Sequence, residues 1–429
     1  MMRKIIVVFL LSVLSVSFTH AVTRVSLKEI ETNGWEMYVG KQIQITTPLY
    51  VCGVYYDSLV LSPERLFVAE ENAEGLSKGD STMYYELKRK NELLSIRLSA
   101  KYSAYKIRTG SVLKNLKANV VGERKLLTGR TPNFANNKPP RKPKIANTDV
   151  LVCASNVQNL FYHLGGYAGA KTEAQRELQL HKIAKGLCHM DADIYALCEV
   201  EKGNSAPQAL VDEMNKMKKN AIYDYISVGD MDGDTIACCY LYRKDKVKPY
   251  TDLRTVFNNP KNFYHYRLIV QGFEDIKSGE QFIININHLR SKRGDAARAD
   301  SIRTNSVDSL LQTLEQLSYE TLFQDLDILM VGDYNCYAQE RPVQKLVSNG
   351  YKDMLLIHSP QDYSYVFKSE VGFLDRVFAS PSMAEQITCI VPYHINADSF
   401  YSKWYKRGLD NTMYRYSDHD PILIGIKFQ

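Results

Sequence analysis

The sequence predicts a mixed α/β protein, and two patterns indicate this class. Short, continuous apolar runs recur from residue 150 onward, and each has the length and composition of a strand buried on both faces. Between them, Lys171–Met190 and Arg298–Tyr319 carry apolar residues at helical spacing. Strands that alternate with helices are typical of an α/β core.

Each apolar run leads into, or follows, polar residues that are capable of chemistry. The runs are Val150–Asn156, Ile194–Glu199, Phe282–His288, Ile328–Asn335 and Ile422–Phe428, the last of which follows Ser417–Pro421. Polar groups at the ends of buried strands emerge at one edge of a sheet, where distant parts of the sequence can meet. The set expected to converge is Asn156, Glu199, His288, Asp333, Asn335, Asp375, Asp418 and His419.

The chemistry of this set favours a hard metal ion. Carboxylates and carboxamides outnumber the other groups, and no cysteine takes part. Such oxygen-rich groups suit Mg²⁺ or Mn²⁺, with Ca²⁺ as a further candidate, rather than a dedicated zinc site. The chain has eight cysteines but no Cys-x-x-Cys pair. We interpret most of them as buried free thiols, while a disulfide framework stays open as the alternative.

Six short motifs in order carry a family resemblance. They are NVQNLF, LCEVE, NHLRSK, GDYN, LDRVFAS and YSDHDP, between residues 156 and 421. In this order the chain resembles the endonuclease/exonuclease/phosphatase superfamily, most closely its exported bacterial nuclease branch. The resemblance covers roughly residues 148–429. It implies a four-layered α/β/β/α sandwich, in which helices flank two mixed β-sheets.

The resemblance also implies a metal-binding group and a catalytic group. Glu199 would be the main metal ligand, Asn156 would orient metal or phosphate, and Asp418 would complete the metal shell.

Five further residues would act on the phosphate and the attacking water. Asp333 would be the general base, and Asn335 would hold a non-bridging phosphate oxygen. His419 would bind the phosphoryl group, oriented by Asp375 through its other ring nitrogen. His288 would donate to the phosphate or protonate the leaving group.

Three arginines are candidate substrate contacts. Arg243 and Arg267 follow β-prone runs, and Arg290 lies beside His288 in a basic segment. The segment around Arg267 lacks the proline-containing form expected of the exported nuclease branch.

The chain before residue 148 divides into three predicted segments. Residues 1–21 have a basic start, an apolar stretch and small residues at the cleavage positions, which predicts a signal peptide and export to the periplasm or beyond. Residues 22–130 are predicted to form a small all-β domain, which resembles the OB-like module of exported nucleases. Residues 131–147 read as a Pro/Lys-rich linker. No membrane anchor and no stable protein partner is expected.

A basic stretch favours nucleic acid as the substrate. Residues 101–148 hold twelve Lys and Arg against one acid, with aromatic residues interspersed. This pattern fits a nucleic-acid backbone with base stacking, although a solvated surface gives the same composition. The net charge of +6 is modest and excludes little. We expect an exported metal-dependent nuclease acting on DNA and/or RNA. The alternative is an exported phospholipid phosphodiesterase of the sphingomyelinase type, or another phosphoesterase on the same fold. No exposed aromatic hairpin suited to a membrane is apparent in the sequence.

Overall fold

The structure is a computed structural model of the chain. It describes residues 22–166, 168–229, 235–257, 266–321, 326–399 and 411–429. The predicted signal peptide, residues 1–21, lies outside the described residues.

The N-terminal region forms one nine-stranded sheet with helices attached to it. Its elements are β1 (Thr23–Val25), α1 (Leu27–Asn33), β2 (Gln42–Ile45), β3 (Leu49–Val54), β4 (Ser58–Ser62), α2 (Ala69–Asn72), α3 (Thr82–Leu94), β5 (Ile96–Ala100), β6 (Val112–Leu113), β7 (Leu116–Gly122), β8 (Lys125–Thr128) and β9 (Phe134–Ala135). The strand order is β1-β2-β7-β8-β5-β4-β3-β6-β9. Ile43, Val51 and Leu98 of this sheet lie in one buried core.

The expectation of an all-β domain is wrong in one respect. The thirteen-residue helix α3 lies directly before β5 in this region. This helix is rich in Lys, Glu and Leu, which are strong helix formers. The start of the predicted linker is also ordered, because Phe134–Ala135 pairs with β6. The OB-like description of this region stays a prediction.

The remainder of the chain forms two large sheets and six helices among the described residues. Its elements are β10 (Val150–Leu160), α4 (Glu173–Met190), β11 (Ile194–Glu201), α5 (Ser205–Lys218), β12 (Tyr223–Ile226), β13 (Ile236–Arg243), β14 (Val247–Pro249), β15 (Arg254–Thr255), β16 (Leu268–Asp275), β17 (Gln281–His288), α6 (Ala296–Thr321), β18 (Ile328–Asp333), α7 (Arg341–Ser348), β19 (Lys352–Asp353), α8 (Met354–His358), β20 (Tyr365–Phe367), β21 (Glu370–Gly372), β22 (Asp375–Ala379), α9 (Pro381–Gln386), β23 (Ile387–Pro392) and β24 (Ile422–Ile426).

These elements make the four layers that the resemblance implies. One sheet has the order β12-β13-β11-β10-β24-β23, and the other has the order β14-β16-β17-β18-β22-β19 with β15 beside β16. The inner faces pack on each other, for example Val152 of β10 in one core with Ile284 of β17. Outside, Leu187 of α4 covers the first sheet and Leu310 of α6 covers the second. The fold is an α/β/β/α sandwich.

The N-terminal region is bonded to the sandwich through buried charges. The Asp398 carboxylate accepts a hydrogen bond from the Thr109 hydroxyl at 2.5 Å and lies 3.5 Å from the Arg65 guanidinium. The Arg108 guanidinium donates to the Ser399 hydroxyl at 2.9 Å. Because Arg108 is buried in this contact, it is not available to a nucleic acid, unlike most other cations of residues 101–148.

Two further findings concern the whole described chain. All eight cysteines are free thiols and six of them are buried, in agreement with the interpretation from the sequence. Among the described helices, none has both the length and the apolar character to cross a bilayer.

Candidate active site

Strand register brings distant residues to one edge of the two sheets. Asn156 of β10 lies beside Cys198 of β11, the residue before Glu199. In the second sheet, Asp333 of β18 lies between His288 of β17 and Asp375 of β22. The packing of the sheets joins the two groups, because Asn156 donates from one amide nitrogen to both Glu199 and Asp333, at 3.1 Å each.

Glu199 reaches this edge through an irregularity in its strand. The register of β11 shifts between Leu197 and Val200, and the Glu199 backbone has a φ of 64°. A bulge of this kind redirects a side chain, and positive φ is uncommon for a residue other than Gly, Asn or Asp. Burial raises the pKa of the Glu199 carboxyl, and the charge of Asp418 raises it further. A bound cation would stabilise the ionised form.

His419 is held by a buried carboxylate, as the resemblance implies. Its Nδ1 lies 2.7 Å from Asp375 Oδ2, which also accepts a hydrogen bond from the Ser364 hydroxyl at 2.7 Å. Burial alone would lower the pKa of His419. The carboxylates of Asp375 and Asp333 outweigh it and hold the pKa well above its usual value. The His419 ring is therefore protonated around neutral pH, with Nε2 3.8 Å from Asp333 Oδ2.

His288 is a second imidazole at the site with the opposite electrostatics. Its Nε2 lies 3.7 Å from Glu199 Oε1 and 3.9 Å from Asp333 Oδ2. Burial, followed by the charges of Arg267 and His419, lowers the pKa of His288 well below its usual value. The ring is therefore neutral. Its buried Nδ1 has no hydrogen-bond partner among the described residues.

Asp333 lies at the centre of the arrangement. Burial raises the pKa of its carboxyl to about 7; the His419 charge opposes this rise, and the charges of Asp375 and Glu199 add to it. One oxygen accepts the Asn335 backbone N–H at 2.9 Å. A carboxyl with a pKa near neutrality is suited to general base catalysis.

A close approach of two strands sets the position of Asp333. The preceding residue, Gly332, has a φ of +125°, and a Cβ atom there would lie 2.3 Å from the carbonyl oxygen of Asn287. Only glycine fits this point of contact between β17 and β18.

The acidic groups suit a metal ion. Glu199, His288 and Asp333 offer ligand atoms that all lie within 4.8 Å of one another, and Asp333, Asp375 and His419 form a second such group. Several buried carboxylates in so small a space are costly without a cation. Asp418 is half-buried, and its charge acts on Glu199 and His419.

Two predicted site residues carry amides whose oxygens and nitrogens have defined partners. Asn156 Oδ1 accepts the Gln158 backbone N–H at 2.9 Å, so this residue turns its nitrogen, not its oxygen, toward the carboxylates. Asn335 Nδ2 donates to the Leu289 carbonyl at 3.1 Å. Asn156 therefore orients Glu199 and Asp333 in this structure.

The three candidate arginines lie in different places. Arg267 is buried at the site, where its charge acts on Glu199 and His288. Arg290 is half-buried in the segment after His288.

Arg243 does not lie with the other candidate site residues, so its role as a substrate contact stays a prediction. Arg243 lies next to Asp193 at the start of β11, about 20 Å along the strand from Glu199. Its guanidinium pairs with Asp245 at 2.8 Å and lies 3.7 Å from Asp193. Strand direction, which no local pattern in β13 indicates, places it at the opposite edge of the sheet.

Sequence reasoning missed two residues that contact the predicted set. Ser364 donates a hydrogen bond to Asp375. The ring centroid of Tyr365, the next residue, lies 4.6 Å from that of His419. The segment Asp362–Tyr365 has no motif-like character, so no signal pointed to it.

Comparisons with known proteins give likenesses of structure only. No family model matches the chain, and no curated protein matches it in sequence. Among solved structures, an endonuclease/exonuclease/phosphatase family protein from Bacteroides thetaiotaomicron is 16% identical, with a TM-score of 0.46 over 64% of this chain and 96% of that chain. A mannosyl-6-phosphatase from the same species is 18% identical, with a TM-score of 0.45 over 65% of this chain and 100% of that chain. The human nocturnin catalytic domain is 15% identical, with a TM-score of 0.44 over 65% of this chain and 93% of that chain.

The resemblance rests on the motif order of this chain itself. The six motifs fall at or near strand ends of the two mixed sheets. Residues 150–429 form a four-layered α/β/β/α sandwich with two mixed sheets, which is the architecture that the motif resemblance implies.

Proposed function

We propose that this chain is an exported, divalent-metal-dependent phosphodiesterase that hydrolyses nucleic acid. The observation that carries the proposal is the convergence of Glu199, Asp333 and His288 with the His419–Asp375 pair at one sheet edge. Hydrolysis of a phosphodiester needs an activated water, positive charge on the phosphoryl oxygens and a proton for the leaving oxygen. At this edge, Asp333 is a candidate base for the water, and the protonated His419 supplies positive charge beside the phosphoryl oxygens.

The protein groups divide the work as follows. Asp333, with a pKa near 7, accepts the proton of the attacking water. His419 stays protonated beside Asp375 and donates to a phosphoryl oxygen. The neutral His288 hydrogen-bonds the phosphate or the leaving oxygen, and Arg267 adds positive charge behind it. Asn156 fixes the orientation of Glu199 relative to Asp333.

Glu199, with Asp418 beside it, would hold the cation. A bound Mg²⁺ or Mn²⁺ supplies charge to neutralise the phosphoryl oxygens. The oxygen-rich donor set fits these hard ions. Burial and the charge of Asp418 raise the pKa of Glu199, and a cation bound there would favour its ionised form.

Nucleic acid is favoured over other phosphodiesters by the distribution of cations. Of the twelve Lys and Arg in residues 101–148, ten have exposed side chains. Exposed cations in a continuous stretch suit a polyanionic backbone more than a small ester. The N-terminal sequence supports export.

A substrate panel tests this function. The purified protein would be incubated with plasmid DNA, RNA and sphingomyelin vesicles, each with EDTA and with Mg²⁺ or Mn²⁺ added back. We expect cleavage of DNA or RNA that EDTA abolishes and the added ion restores. Cleavage of sphingomyelin without cleavage of nucleic acid would instead establish the alternative, a phospholipid phosphodiesterase. An Asp333→Asn variant controls for contaminating nuclease, because it should be inactive on every substrate.

A further inference from the structure

A row of aromatic rings leads outward from His419. The ring centroid of Tyr365 lies 4.6 Å from that of His419, with 35° between the planes. On the far side, the Phe367 ring is nearly parallel to Tyr365, at 6.4 Å and 17°. Phe367, two residues after Tyr365, is 50% exposed. The row therefore connects the reacting centre to the surface.

A cation accompanies the outer ring. The Lys368 Nζ lies 5.4 Å from the centroid of Phe367. Tyr55, whose hydroxyl lies 3.2 Å from the Ser369 hydroxyl, stands beside the same turn, and the Arg97 guanidinium lies 6.0 Å from the Tyr55 ring. Rings with cations at their faces are the arrangement that protein sites use to stack bases and neutralise the adjacent phosphates.

The hairpin that carries these rings is fixed rather than free. Its tip has Lys368 at φ 48° and Ser369 at φ 77°, positions where lysine and serine are rarely found. The turn is held by the Tyr55–Ser369 contact and by Asn91, which donates to Glu370 at 2.6 Å. Strained backbone that its surroundings hold in place is concentrated at ligand sites.

The N-terminal region supplies these anchors. The Val371 backbone N–H donates to the Leu66 carbonyl at 2.8 Å, and the Val371 carbonyl accepts the Val68 backbone N–H at 2.9 Å. The hairpin is in this way attached to the N-terminal region as well as to the sandwich. The rings accordingly have a defined position relative to His419, which is what a specificity site requires.

We propose that Tyr365 and Phe367 form a stacking subsite for the nucleobase next to the scissile phosphate, with Lys368 contacting the neighbouring phosphate. This inference rests on the proposed function and names the part of the substrate that the site reads beyond the phosphate. Stacking is tolerant of base identity, so the subsite selects for polynucleotides over other phosphodiesters and only weakly among sequences.

A lipid surface is the competing occupant of an exposed aromatic residue, and the geometry disfavours it. Phe367 does not project alone from a free loop: one side faces the Tyr365 ring, and the tip is bonded to Tyr55 and Asn91. Insertion into a bilayer needs an apolar tip, whereas this tip is Lys368–Ser369.

The test uses the full-length protein and two oligonucleotides that each contain one cleavable phosphate. In the first, normal nucleotides flank that phosphate; in the second, the flanking residues lack bases. The variant Phe367→Ala should raise KM for the first substrate by about fivefold to hundredfold, the range expected when one base no longer stacks. Its KM for the abasic substrate should equal that of the unaltered protein. The variant Phe367→Trp should restore the low KM.

Controls separate the subsite from the function on which it rests. Tyr319, which is 74% exposed on α6, gives a matched control: Tyr319→Ala should leave both KM values unchanged. Equal KM values for Phe367→Ala and the unaltered protein on the first substrate would overturn the subsite alone. A protein that cleaves neither oligonucleotide would overturn the proposed function as well. A variant defect confined to phospholipid vesicles would overturn the nucleobase assignment in favour of a lipid surface.

Discussion

Glu71, in the N-terminal region, lies against Arg376, the residue after the carboxylate that orients His419. A Glu71 oxygen is 3.5 Å from the fully buried Arg376 guanidinium, whose other partner is Asp353. The Glu71 carboxylate also accepts the backbone N–H of Phe373 at 2.5 Å and that of Ala338 at 3.3 Å. The N-terminal region therefore helps to position the segment that carries Asp375.

The first prediction follows from this contact. Glu71→Ala leaves Arg376 with one buried partner in place of two and leaves two backbone N–H groups without their acceptor. Removal of one member of a buried ion pair costs about 3–5 kcal/mol, so we expect a large fall in Tm. Because Asp375 is displaced, kcat should also fall in the fraction that stays folded.

Glu74→Ala is the matched control, since Glu74 is exposed on the same segment. Denaturant unfolding and single-turnover rates measure the two effects separately. An unchanged free energy of unfolding in Glu71→Ala would mean that this contact does not stabilise the fold, and an unchanged single-turnover rate would mean that it does not position Asp375. Deletion of the N-terminal region removes the same contact, so we expect such a truncated protein to be destabilised.

The second prediction concerns metal ions and stability. Glu199 and Asp333 have pKa values that burial raises above the unfolded ones. Their contribution to stability is complete below the unfolded pKa values and is lost as pH rises through the folded ones, about 7 for Asp333. A cation offsets this loss because it binds the ionised forms. The increase of Tm on adding Mg²⁺ should therefore be larger at pH 8 than at pH 5.5. An increase that does not depend on pH would place the bound ion elsewhere.

The third prediction concerns the pH profile of activity. His419 must stay protonated to bind the phosphoryl group, and Asp375 contributes to holding its pKa above the usual value. In Asp375→Asn the charge is removed, so the pKa of His419 falls. The alkaline limb of the kcat/KM profile should then move to lower pH, by about one unit or more. A limb that stays in place would show that another group controls it.

The fourth prediction concerns the exposed lysines of the N-terminal region. Lys114, Lys117 and Lys125 are exposed, and replacing all three with Gln should weaken binding to duplex DNA. For each phosphate that the variant no longer neutralises, the slope of log K against log salt should become shallower by about 0.9. Fluorescence anisotropy at several salt concentrations measures this slope.

The matched control replaces three exposed lysines of the sandwich, Lys216, Lys219 and Lys277, with Gln. This variant has the same net charge as the first but an intact basic stretch. Equal slopes for the two variants would mean that residues 101–148 are only a solvated surface.

The layers of the sandwich could be predicted because they follow local patterns. The apolar run at Ile328–Asp333 is a strand, and the amphipathic segment Lys171–Met190 is a helix from Glu173 onward. The convergence of the candidate site residues could be predicted from the motifs, whose order resembles that of a known family. Both kinds of signal are contiguous in sequence.

What could not be predicted depends on contacts between distant segments. The direction of β13, which removes Arg243 from the site, is set by its pairing with β11. The bulge that redirects Glu199 is at a glutamate with positive φ, so no glycine in the sequence indicates it. The contact of Glu71 with Arg376 joins residues 305 positions apart, counted as 376 minus 71. No periodicity or motif encodes such pairs.

The central claim is that Glu199 holds a divalent cation that phosphodiester hydrolysis requires. The most direct measurement compares Glu199→Gln with the unaltered protein after EDTA treatment, with cleavage of nucleic acid followed as Mg²⁺ is added. Glutamine keeps the shape of the side chain and removes its charge. We expect the unaltered protein to regain activity when Mg²⁺ is added. The variant should stay several orders of magnitude slower at every Mg²⁺ concentration. Its Tm in EDTA should not be lower than that of the unaltered protein. A variant that cleaves nucleic acid at nearly the unaltered rate would contradict the account.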